Sequence, residues 1–299
     1  MKEDVWPRLP MKEWQATYDT LHMWTQIVGK IRMVQSPLVN HWWEVALYVT
    51  PRGLTTSSIP YGTRSFEMTF DFIEHRLLIQ TSEGAVQSLA LKPQSVASFY
   101  RELMGVLHSL EIEVKINPIP QEYPDRTPFD QDEAHASYDK EYAERHWRIL
   151  LQADRLMHQF RGAFVGKCSP VHFFWGSFDL AVSRFSGRSA PLNPKAGPIT
   201  REGYSHEVAS VGFWPGSGNI EDPAFYAYCS PEPEGYKTSP LIKSPGFYNP
   251  PTSGYILMYD EVRNSKDPDR LVLDFFQGTY EAGADLGKWD RASLERKTS

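Results

Sequence analysis

One stretch of this chain occurs twice. Ser36 to Thr50 aligns without a gap on Ser169 to Ser183, with Ser, Pro, Trp, Leu and Val at matching positions. Val45/Phe178 and Thr50/Ser183 are close substitutes. Self-similarity of this kind limits the fold to architectures that hold the same supersecondary unit twice. A long helical pattern precedes each copy, and another closes each half. The unit therefore reads helix, three or four strands, helix.

The residues that carry this reading are periodic. Trp14, Tyr18, Leu21, Trp24, Val28 and Ile31 recur at spacings of three and four, which predicts a helix from about Met11 to Met33. Pro37 disfavours helix at the residue before it and ends the run. Val45, Leu47 and Val49 then alternate with polar or small residues, as do Phe66, Met68, Phe70 and Phe72. Leu77 and Ile79 begin a third strand and Ser88 to Leu91 a fourth, with Ser82-Glu83-Gly84 as the turn between them. Strict alternation implies sheets covered on one face, which favours antiparallel order. Ser95 caps a second helix with Val96, Phe99, Leu103 and Leu107 inward.

The second half repeats the plan. A helix is expected from about Lys140 to Phe164, then strands Ser177–Phe185, His206–Trp214, Phe225–Cys229 and Tyr255–Tyr259. The last helix opens on Asp267-Pro268, a cap followed by Pro at the first helical position. Gly278 and Gly283 inside it suggest close backbone packing. The expected architecture is α+β: tandem pseudo-symmetric α-β4-α repeats, with antiparallel sheets carrying helices on one face and meeting about a pseudo-twofold axis. Residues 1–116 form the first half, 117–137 a Pro-rich crossover, 138–290 the second half, and 291–299 a frayed polar tail. Two long insertions, about 186–204 and 231–254, are expected as lids, binding loops or surface decoration.

Charge and composition narrow the function. The net charge is −6 with both signs interspersed, which argues against a nucleic-acid binder. No stretch approaches the roughly 20 apolar residues of a membrane span. Cys168 and Cys229 fall in no CxxC or CxxH cluster, so a reducing cytoplasm is expected. The oligomeric state and any cofactor stay open.

The longest local signature is Ser169-Pro170-Val171-His172-Phe173-Phe174-Trp175-Gly176-Ser177-Phe178-Asp179-Leu180-Ala181, followed by Arg184-Phe185-Ser186-Gly187-Arg188. With Asn40-His41-Trp42-Trp43, Tyr204-Ser205-His206-Glu207-Val208, Gly212-Phe213-Trp214-Pro215-Gly216 and Pro231-Glu232-Pro233-Glu234-Gly235, it resembles an uncharacterised bacterial family of this chain's length, about 300 residues. The resemblance implies a bacterial, cytosolic, single-chain protein and transfers no catalytic residue.

Strand parity points to one place for chemistry. If Phe178, Leu180 and Val182 face the helices, then Ser177, Asp179, Ala181 and Ser183 face away. The same logic leaves His206, Ser210 and Trp214 outward on the next strand, and Tyr226 and Tyr228 on the third. The catalytic candidates are His206 as base, Asp179 as its orienter, and Tyr226 or Tyr228 as donor. Ser177, Ser183, Ser210, Trp175, Trp214 and His172 are ligand-binding candidates around them. The bland alternative is a solvated outer face; the functional alternative is a non-catalytic ligand-binding or protein-interaction module. A Ser–His–Asp triad lacks its GxSxG elbow. A metal centre of His172, His206 and Glu207 fails because adjacent strand residues point to opposite faces, so no metal is assigned. Gly212 to Gly218 lacks the ending of a phosphate loop. His22 and His146 read as hydrogen-bonded core residues or, if their helices meet, as the lining of a shared cleft. His41, Trp42 and Trp43 read as a core corner, with an aromatic platform as the minority alternative.

Overall fold

The protein is described by a computed structural model that covers residues 4–191, 194–216 and 219–297. The first half opens with α1 (Met11–Gln35), whose chain exit is extended at Ser36, ahead of Pro37. A 3-10 segment follows at Asn40–Val45. Then come β1 (Tyr48–Thr50), β2 (Gly53–Thr55), β3 (Ile59–Tyr61), β4 (Arg64–Asp71), β5 (Arg76–Thr81), β6 (Val86–Ala90) and α2 (Val96–Ser109). The second half runs α3 (Lys140–Gly162), β7 (His172–Phe174), β8 (Asp179–Ser189), α4 (Pro198–Gly203), β9 (His206–Trp214), β10 (Ala224–Ser230), β11 (Phe247–Asn249) and β12 (Gly254–Met258). It closes with α5 (Tyr259–Arg263), α6 (Pro268–Leu286) and α7 (Arg291–Leu294).

The class is α+β, and every ladder is antiparallel. Among the described residues each sheet has six strands rather than four. The first is ordered β1-β2-β4-β5-β6 with β3 on β4; the second is ordered β11-β12-β10-β9-β8-β7. The extra strands are short pieces of three residues, too brief for alternation to mark them. The caps behave as their residues dictate. Ser95 accepts from the Ser98 amide at the start of α2, and Asp267 from the Arg270 amide at the start of α6. No helix of the described residues is long and apolar enough to cross a membrane.

Helices α3 and α6 cover one face of the second sheet, where Leu180, Val182, Val211, Phe213 and Phe225 are buried. One apolar cluster runs through both halves, from Trp6 and Trp14 to Phe276 and Tyr280. Phe178 lies at its centre, with the His22 ring 5.0 Å and the His146 ring 5.1 Å away. The helices bearing these histidines do meet. Burial holds His22 down to about 4 and His146 down to about 3. His22 Nε2 reaches the Trp175 and Gly176 carbonyls at 2.9 and 3.0 Å. His146 leaves both ring nitrogens unpartnered and is held by ring stacking.

Several expectations are corrected. The strand predicted from Val45 begins only at Tyr48, because His41 and Trp42 adopt left-handed backbone, φ 62° and 61°. The matched positions of the repeat thus differ in local structure. The sheets touch through one bridge, Leu47 to Phe173, with N–H···O distances of 2.9 and 2.8 Å. Its residues are not repeat equivalents, so no twofold relation is seen there. On its other side Phe173 pairs with Leu180, the repeat partner of Leu47. Of the expected frayed tail, residues 291–297 are described, and they are tied down. Arg291 binds Asp285, Glu281 and Glu295, and Leu294 accepts from Val165. Gly283 is needed for close approach, since a Cβ there would stand 2.2 Å from Cys229 Sγ, whereas one at Gly278 would meet only Leu241 at 3.8 Å.

Candidate functional site

The outer face of the second sheet is partly covered. It forms the floor of a cavity of about 420 Å³. Asp179, Ala181, Ser183 and Phe185 on β8, Val208 and Ser210 on β9, and Tyr226 and Tyr228 on β10 make the floor. Period-two alternation along β8 sends the intervening Leu180, Val182 and Arg184 toward the helices. Arg184 stacks there on Phe160 and Tyr280. One wall comes from the 3-10 segment of the first half, with His41, Trp42, Trp43 and Val45. Phe174, Trp175 and Ser177 line the cavity as well. The rim is closed by Ile199, Thr200 and Tyr204 from the α4 region and by Gln121 and Glu122 from the Pro-rich crossover.

Asp179 is 7% exposed. Ser177 Oγ donates to one carboxyl oxygen at 2.5 Å, and the Tyr226 hydroxyl donates to the other. Burial pushes this carboxyl up to about 6, with the charge of Glu122 adding to the rise; the two hydroxyl donors act against it. Burial also lifts the Tyr226 and Tyr228 phenols well above their usual range, with the Asp179 charge next for Tyr226 and the Tyr204 phenol next for Tyr228. Both are neutral donors near pH 7.

One glycine makes the Tyr226–Asp179 contact possible. Tyr226 on β10 is opposite Gly212 on β9, and Gly212 is opposite Ala181 on β8. The phenol must therefore lie across β9 to reach Asp179. A Cβ at position 212 would stand 2.2 Å from the Tyr226 ring. A glycine inside an otherwise regular strand marks such a close approach, and that is the signal by which the sequence could have disclosed it. A second hydroxyl row runs beside the first. Ser183 donates to Ser210 at 3.0 Å, and the Tyr204 and Tyr228 hydroxyls lie 3.2 Å apart. Trp175 is fixed by its indole N–H on the Val45 carbonyl at 2.8 Å and by Gly29, where a Cβ would meet its ring at 2.2 Å.

The sequence candidates separate into two groups. Asp179, Tyr226, Tyr228, Ser177, Ser183, Ser210 and Trp175 share this cavity. His206, Trp214 and His172 do not line it. His206 pairs with Ser189 at the far end of β9, whereas Leu180, next to Asp179, pairs with Phe213. Seven residues of strand at about 3.3 Å each put His206 and Asp179 roughly 20 Å apart. Asp179 therefore does not orient His206, whose ring neighbours are Ser205 at 3.1 Å and His41 at 5.5 Å. Trp214 lines a neighbouring cavity with Tyr123 and His22. Counted back in twos from Leu180, His172 would fall on the core side, but the turn at 175–178, with Phe178 at φ 59°, breaks the count. Pairing with Ala181 places His172 on the cavity face, where Trp43, Tyr48 and Phe174 cover it. Burial takes it down to about 3, and neither ring nitrogen has a partner.

Sequence reasoning missed Glu122, Gln121, Tyr204 and Gly212, and placed Trp42 and Trp43 in a core corner. Glu122 has left-handed backbone, φ 52°, between two anchored neighbours. Gln121 exchanges hydrogen bonds of 2.8 and 2.7 Å with Gln26, and Tyr123 donates to Asp19 at 2.7 Å. Glu207, considered for a metal, is taken by Ser186 and Arg188. Among the described residues no group of three or more His, Cys, Asp or Glu could hold a metal ion. Of the Gly212–Gly218 stretch, Ser217 and Gly218 lie outside the described residues.

The chain belongs to a family of unknown function, DUF5996, which it matches over residues 6–296. No curated protein and no solved structure matches it.

Proposed function

We propose that the cavity on the second sheet is a small-molecule site and that Asp179 is its proton-exchanging group. One observation carries this reading. A buried carboxyl, raised to about 6, lies in the floor of an aromatic-walled cavity with two hydroxyl donors aimed at it. A group whose pKa is close to the working pH gives up and takes back a proton with little penalty either way, and buried groups so perturbed cluster at functional sites. Tyr226 and Ser177 act as positioning donors, and the serine row with Tyr228 and Tyr204 supplies neutral hydrogen bonds along the ligand. The earlier base, His206, has no part in this scheme. A reducing, cytosolic setting fits the free thiols of Cys168 and Cys229.

Two measurements test it. The Asp179 carboxyl, followed by ¹³C NMR in the full chain, is expected to titrate near 6; a value near 4 sinks the proton-exchange role. Small molecules released from purified wild type and from Ala181→Phe, which fills the floor, are then compared by mass spectrometry. A compound released by wild type alone supports the site, whereas matching profiles count against it.

A further inference from the structure

The cavity is short of one positive charge. Asp179 is nine-tenths buried, yet its partners are two neutral hydroxyls. Glu122 at the rim makes no hydrogen bond or ion pair among the described residues. Burial of its carboxyl shifts it upward, and its charge acts on Asp179. A buried charge in a protein is normally paired; Asp179 is not, and the exposed Glu122 faces the same space, with no lysine or arginine on its lining. One cation, Lys167, is not part of the lining but touches residues that are. Its ammonium stacks 4.9 Å from the Phe185 ring and 5.5 Å from the Trp43 ring, and touches His41 Nε2 at 2.9 Å. His41 is itself held toward its neutral form by burial. What the protein does place around the carboxylates is π surface from Trp42, Trp43, Trp175, Phe174 and the stacked Tyr226 and Tyr228 rings. Ring faces attract cations and repel anions, and the attraction grows when the site is desolvated.

We infer that the ligand is a small organic cation, an ammonium or a protonated nitrogen base carried on an apolar body. Its N–H group meets Asp179, its apolar part lies against the indoles, and Glu122 draws it in at the rim. This rests on the small-molecule reading of the cavity and adds the sign of the charge to it. Phosphates, carboxylates and other anions are excluded by the same two carboxylates.

Three probes of one size separate the cases: benzylammonium, benzyl alcohol and benzoate, titrated calorimetrically into the full chain at pH 7.5. Benzylammonium is expected to bind at least ten-fold tighter than benzyl alcohol, with benzoate weakest. Its affinity should fall about ten-fold between pH 7.5 and 5 as Asp179 takes a proton, while that of benzyl alcohol stays flat. Glu122→Gln, at an exposed position, should cost several-fold in benzylammonium affinity without lowering the melting temperature. Asp179→Asn, checked for folding by circular dichroism, should abolish the preference for the cation. Equal or tighter binding of benzyl alcohol or benzoate overturns the inference. So does a preference that survives Asp179→Asn, or the absence of binding by all three probes. A released compound and an Asp179 titration near 6 would in those cases leave the small-molecule reading standing.

Discussion

The two similar segments, Ser36–Thr50 and Ser169–Ser183, share apolar residues at matched positions and do different work. In the second copy, Asp179 to Ser183 is a central strand whose outward residues floor the cavity. In the first, the matched Ala46 to Thr50 yields only a three-residue strand at the edge of its sheet. The preceding Asn40–Val45 turns back as a wall over the other copy's floor. Trp42 and Trp175, which are repeat equivalents, both line the cavity. Asp179 has Ala46 as its counterpart, fully buried and inert. Two similar segments therefore form unlike sides of one site. The site does not belong to the second half alone.

Substitutions can break that comparison at chosen points. The largest effect is expected at Phe173, which stands between Leu47 and Leu180. Phe173→Ala should cost about 3–5 kcal/mol in urea unfolding. A loss under 1 kcal/mol would mean that the copies do not depend on the shared residue.

Acid comes next. His22, His146 and His172 stay neutral when folded, at about 4, 3 and 3, and take protons near 6.5 when unfolded. The unfolded chain thus binds more protons below pH 6.5, and stability falls as pH drops toward 4. Each histidine contributes about 1.4 kcal/mol per pH unit in that window. His146→Phe should flatten the slope, and an unchanged slope would show that the buried ring is protonated when folded.

Asp179 has the opposite sign. Its folded value near 6 is above the ordinary carboxylate value, so the folded state binds more protons between about 4 and 6. The penalty of holding its charge is absent at pH 4 and complete above pH 6. Asp179→Asn should then stabilise the fold by about 2–3 kcal/mol at pH 8 and by little at pH 4. Destabilisation at pH 8 would mean that the carboxylate serves packing rather than ligand.

Gly212→Ala should cost about 1–3 kcal/mol by overpacking against Tyr226. It should also raise the Asp179 titration further, because a donor to the carboxylate is lost. Tyr226→Phe should match the titration shift without the packing loss. The smallest effect is expected for Tyr204→Phe at the exposed rim, which removes its contact with Tyr228 for about 0.5–1 kcal/mol.

Much of this was legible in the residues. Alternation of Leu180, Val182, Val211, Phe213 and Phe225 against Asp179, Ser183, Ser210, Tyr226 and Tyr228 gave both faces of the second sheet. Caps and prolines gave the helix ends. What escaped depends on backbone that side-chain pattern does not encode. Left-handed His41, Trp42 and Phe178 turn strands into corners and shift parity, as His172 shows. Glu122 reaches the rim only because a long irregular segment is fastened to α1 through Gln26. No periodicity reports a tertiary tether of that kind. The His206–Asp179 pairing failed because a shared face says nothing about distance along the strand.

Phe173 also bears on whether the two halves can be parted. Here β7 presents one backbone edge to the first copy and the other to the second. Cutting between the halves would strip Leu47 of its partners and leave a bare strand edge, the kind that invites aggregation. With one strand serving both sheets, a break there would leave neither sheet intact.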